Sequence, residues 1–108
     1  MFRSLAVAAT LFATAARAEC PIYLDEVEYG AHRHNMQIVE LPAAQRDILV
    51  DNWNHTDPRS DDHPARVLTV QMPAGTLLLM VDGDNCVMHR GVVDADTLGR
   101  LLTARTRS

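Results

Sequence analysis

The chain has 108 residues, 14 of them acidic and 10 basic, for a formal net charge of −4. That length holds one domain with a modest core, and the acidic balance argues against nucleic acid or an anionic membrane as the main partner. All ten basic residues are arginine, the usage of a GC-rich bacterial genome, and there are only two cysteines, Cys20 and Cys86.

The first eighteen residues, MFRSLAVAATLFATAARA, place Arg3 before an apolar run from Leu5 to Ala16 and end in the small-x-small pattern Ala16-Arg17-Ala18. This is the layout of a secretory signal peptide cleaved after Ala18. The apolar run is too short for a spanning helix, which needs about 20 such residues, so no membrane anchor is expected after cleavage. Cys20 is not read as a lipid-modified cysteine, because Arg17 and Glu19 stand close before it. Residues 19–108 then form a single exported domain, periplasmic or secreted, with eight arginines against fourteen acids. Both cysteines enter an oxidising compartment, where a small domain gains most from a staple, and a Cys20–Cys86 disulfide is expected.

Along the mature chain, residues 19–31 carry Ile22, Leu24, Val27 and Tyr29 without a steady period and read as a short strand or an irregular arm. HRHNMQIVE, residues 32–40, alternates as a strand would, with His32, His34, Met36 and Ile38 on one side. LPAAQRDILVDNWN changes to helical spacing: Leu41, Ala44, Ile48, Leu49 and Trp53 share a face, and Pro42 suits a first helical position. The helix is predicted over about residues 42–53, followed by a polar loop over 54–65 containing Pro58 and Pro64.

RVLTVQM, TLLLMV and CVMHRGVV are three runs of strand length, divided by Pro73-Ala74-Gly75 and by Asp82-Gly83-Asp84-Asn85. They predict an antiparallel three-stranded meander whose middle strand, Leu77 to Val81, is covered on both faces. In the third run, strict alternation puts Cys86 and Met88 on one face and Val87 and His89 on the other. Finally, Asp94 is a good N-cap for a short helix with Leu98, Leu101 and Leu102 as its apolar stripe, weakened by Gly99. The fold class expected is α+β: a three-stranded meander with an amphipathic helix before it and a short helix after it.

Four groups of residues suggest chemistry. DGDN lacks the twelfth-position glutamate of a calcium loop, since counting from Asp82 reaches Val93, and reads as a hairpin turn. His32, His34 and Met36 on one extended face would suit copper or zinc, with ordinary inward packing as the competing reading. Cys86 and His89 are three residues apart on a strand and point apart, so they do not form a nucleophile and its base. A base from His55 or His63 would define a small thiol or hydrolytic enzyme, but the disulfide would remove the thiol. Trp53, the one tryptophan, is either the largest core group or an aromatic anchor beside a polar loop. No catalytic residue, bound metal or cofactor is assigned. The expected role is non-catalytic, a binding or accessory module whose protein or small-molecule partner lies in the envelope. Copper or zinc binding through His32, His34 and Met36 is the first alternative and a small enzyme the second.

Overall fold

The computed structural model describes residues 20–56, 59 and 63–105. The expected leader, its cleavage site after Ala18 and the centre of the polar loop lie outside the described residues. Within them the elements run α1 (Leu24–Arg33), β1 (Ile38–Glu40), α2 (Ala43–Thr56), β2 (Arg66–Met72), β3 (Gly75–Val81), β4 (Val87–Val93) and α3 (Ala95–Leu101). The architecture is α+β, and the antiparallel sheet has four strands in the order β1-β2-β3-β4.

The expected meander is present, with one strand more than the three predicted. β1 adds to its edge through Ile38 opposite Val70 and Glu40 opposite Leu68. Only three residues are extended here, because the segment before them is helical. Leu24, Val27 and Ala31 recur at helical spacing, Glu26 Oε2 accepts from the Tyr23 N–H at 3.3 Å, and Asp25 and Glu26 lie in the first turn. Both features favour a helix start. The helix ends in a Schellman turn: Asn35 takes φ 55, the Met36 N–H donates to Ala31 O at 2.8 Å, and the Asn35 N–H donates to His32 O at 3.1 Å. The strand predicted from His32 is therefore a helix end and a reversal, and the alternation of HRHNM is a coincidence of composition. Nor are residues 19–31 a strand or an irregular arm beyond Tyr23.

α1 covers one face of the sheet, over Leu68, Val70, Leu79, Val81 and Val87. α2 and α3 cover the other, where Leu49 and Leu101 meet Val67, Leu78 and Met80. This double cover explains why β3 reads as a nearly unbroken apolar run, and Leu79, Met80 and Val81 are all fully buried. α2 begins close to the predicted residue and runs three residues further than predicted. Its inward stripe is turned relative to the expected one. Leu49, Val50 and Trp53 pack on the sheet, Ala44 is exposed, and Asn52 is buried.

Gly75 opens β3 at φ +144, and a Cβ there would stand 2.7 Å from Val93 O, so strand and hairpin can meet only around a glycine. Gly99 differs, since a Cβ at that position would have no heavy atom within 4 Å. Gly99→Ala is therefore expected to raise stability by about 0.5–1 kcal/mol through helix propensity, seen as a higher urea midpoint with an unchanged slope. The start of the same helix is well capped. Asp94 Oδ1 accepts from the Thr97 N–H at 2.7 Å, and this bond holds the Asp94 carboxyl below its usual range.

At the other edge, Arg66 donates from Nη2 and Nε to Glu40 Oε1 at 2.7 and 3.1 Å and from Nη1 to Asn85 Oδ1 at 3.1 Å. The two bonds to Glu40, helped by the arginine charge, hold its carboxyl below the ordinary value. A lowered carboxylate pKa stabilises the fold at pH above the unfolded value, near 4.3, and that contribution is lost as the pH falls through the folded value. Because the pair is solvent-exposed, Glu40→Gln is expected to cost only about 0.5 kcal/mol at neutral pH. Urea melts of the variant and the parent should converge in acid, below the ordinary glutamate value.

Candidate binding cleft

The hairpin before β4 decides where its side chains point. Asp82 Oδ1 accepts from the Asp84 and Cys86 N–H groups at 2.8 and 2.9 Å, and Asn85 takes φ 63. The carboxylate is thus occupied in shaping the turn, as the hairpin reading of DGDN expects. Immediately afterwards the register shifts: Val81 pairs with Val87, Met80 pairs with His89, and Met88 is left over as a bulge. One extra residue reverses the alternation beyond it. Val87 enters the cluster beneath α1, whereas His89 emerges on the α2 side, which corrects the expectation that the two share a face.

On that side His89 meets Trp53. Their ring centroids are 5.7 Å apart at an interplanar angle of 48°. Trp53 is half-buried and leans on the second apolar cluster, so it is both a core group and a cleft wall. Two hollows share Trp53 and Val93 as a common wall. One, of 260 Å³, lies over Leu78 and Met80 and is bounded by β4 from His89 to Val93. The other, of 430 Å³, opens between the end of α2 and α3 and is lined by His55, Thr56, Thr97, Arg100 and Arg105 among others. Together they form a cleft with an apolar end and a cationic end.

The width of the cleft is set by a residue with no obvious sequence signal. Asn52 donates through Nδ2 to the carbonyls of Leu101 and Thr103, both at 2.8 Å, and of Arg100 at 3.3 Å. These carbonyls lie at and just beyond the C-terminal end of α3, where intrahelical donors run out. Arg100 O also accepts from the Thr103 N–H at 3.3 Å, and the buried amide on α2 supplies the donor to the other two. α2 is thereby fixed to α3 just beneath Trp53. An asparagine within a helical apolar stripe is the only trace this leaves in the sequence.

The other predicted residues are placed as follows. Cys20 and Cys86 form a disulfide with their Cα atoms 5.8 Å apart, and neither cysteine is free. Tyr23 bridges to Cys86, and the Leu24 and Val87 N–H groups donate to Asn85 O and Ile22 O, so the arm pairs with the start of β4. Cys86 is thus no nucleophile in this state. His32 lies in the last turn of α1 and His34 at its C-cap, both exposed, while Met36 packs against the first apolar cluster. The three do not line up on one strand face. His34 and Met36 border the same apolar groove beside α1, and His32 does not. Among the described residues no three His, Cys, Asp or Glu side chains come together as a group able to hold a metal ion. His55 stands at the cationic end of the cleft and His63 is exposed outside it.

No family model, curated protein or solved structure matches this chain.

Proposed function

We propose that this protein is a disulfide-stapled module exported to the bacterial envelope, periplasmic or secreted, that works by binding rather than catalysis, and that its binding site is the Trp53 cleft. The observation that carries the reading is the position of the lone tryptophan. A half-buried indole with one side on the core and the other walling a cavity gives a ligand rigid, low-entropy contact area. The disulfide supports export, because such bonds persist in oxidising compartments. Among the described residues no helix is long and apolar enough to cross a membrane.

The test is retention from an envelope extract. The oxidised domain and its Trp53→Phe variant are loaded in parallel, washed, and their bound small molecules, proteins and metals are measured by mass spectrometry. The reading requires at least one ligand whose retention drops in the variant while the melting temperature of the domain holds. If both proteins retain the same set, the cleft is not the site.

A further inference from the structure

Resting on that reading, we infer that the cleft takes a small organic anion, a carboxylate carried on a flat apolar body about the size of a phenyl ring. Charge distribution is the first argument. The chain has 14 acids against 10 arginines, yet among the described residues no aspartate or glutamate lines either hollow. Cationic groups do line the cleft, and they gather at one end. Arg100 and Arg105 line the hollow between α2 and α3, beside the imidazole of His55. Arg105 is partly engaged, 3.8 Å from Asp51, and Arg100 helps to lower the Asp94 carboxyl without closing an ion pair to it. An arginine with no close carboxylate partner among the described residues, next to the Thr97 side chain, suits a carboxylate supplied from outside.

The shape of the apolar end is the second argument. Register places Gly91 opposite Leu78, and Gly91 leaves the floor of the 260 Å³ hollow open where any other residue would project a side chain. A Cβ at Gly91 would meet nothing within 4 Å, so no packing constraint requires a glycine there. Trp53 lines the same hollow, and an indole there suits a planar group. Arg90 borders the same hollow, but it pairs with Leu79, so alternation sends its side chain to the α1 side of the sheet. The ring therefore sits between Trp53 and Leu78, and the carboxylate extends toward Arg100.

The experiment uses three probes that differ only in their polar end: phenylpropanoate, phenylpropanamide and phenylethylamine. Each is titrated into the oxidised domain and followed by calorimetry and by the emission of Trp53. The carboxylate is expected to bind at least about tenfold more tightly than the amide, as a charge-assisted hydrogen bond implies, and the amine more weakly still. Arg100→Gln should bring the carboxylate to the level of the amide. Gly91→Val, a favourable strand residue filling open space, should abolish binding of all three with no loss of melting temperature. Equal affinity for carboxylate and amide, or an Arg100→Gln variant that binds like the parent, overturns the anion assignment. In that case binding that still disappears in Gly91→Val leaves the cleft standing as a site for a neutral ligand. Failure of every probe also overturns the assignment. If the ligands retained from envelope extract are then unchanged in Gly91→Val, the binding reading of the cleft falls with it.

Discussion

Replacing Cys20 and Cys86 together by serine is expected to lower the unfolding free energy by about 4 kcal/mol and the melting temperature by roughly 20 °C. The bond joins residues 66 positions apart, so most of the described chain lies within the loop it closes. Cutting it returns that loop's freedom to the unfolded ensemble. It also releases the arm that starts α1, which is otherwise held by the Leu24 N–H to Asn85 O bond at 2.8 Å and the Val87 N–H to Ile22 O bond at 3.0 Å. Because α1 is the only described helix over Leu68, Val70 and Leu79, its loosening exposes one entire apolar cluster. Urea melts of the serine variant and of the reduced parent should agree. A shift below about 1 kcal/mol in both would mean that the unfolded chain retains the proximity of its ends without the bond.

The second large effect is expected at Asn52. Its amide is buried and meets three carbonyls at the end of α3. Asn52→Ala removes the donor and leaves the Leu101 and Thr103 carbonyls poorly satisfied, at a cost of about 2 kcal/mol. Asn52→Asp should be worse, about 3 kcal/mol at neutral pH, because an ionised carboxylate can only accept and would face three acceptors. The two variants separate by their pH dependence. An aspartate in this place holds its proton more tightly when folded than when unfolded, so its penalty grows as pH rises above the unfolded value and shrinks as pH falls. Hydrogen exchange of the α3 amides would show whether the loss is local. If Asn52→Asp proves no worse than Asn52→Ala across that range, the amide is not the clamp described.

Much of the sheet can be read in the sequence because its signals are local. RVLTVQM and TLLLMV begin and end close to where β2 and β3 do, and Asp94 caps the helix it was expected to cap. The disulfide is equally accessible, since two cysteines allow one pairing. What the sequence hides depends on single residues acting at a distance or out of period. Asn35 in a left-handed conformation turns an apparent strand into a helix end and separates His32 from Met36. Met88 as a bulge moves His89 across the sheet to Trp53, and no rule of alternation foresees an inserted residue. Asn52 bonds to partners about fifty positions away, visible only once α3 has docked. The cleft is legible only in part: Trp53 stands out, while the open space at Gly91 and the lack of acids among the described lining residues arise from tertiary placement.

The arm paired to β4 also fixes an order of events during synthesis. Cys20 is made early, and its partner follows 66 residues later. At typical elongation rates that interval is roughly 3–13 s. Throughout it α1 has no finished sheet to lie on, and neither Asn85 O nor the Val87 N–H exists to receive the arm. For that interval the first thiol has no partner sulfur in the chain, and the structure that brings the two together does not yet exist. The ribosome sets that interval, and no improvement in the packing of the finished domain can shorten it.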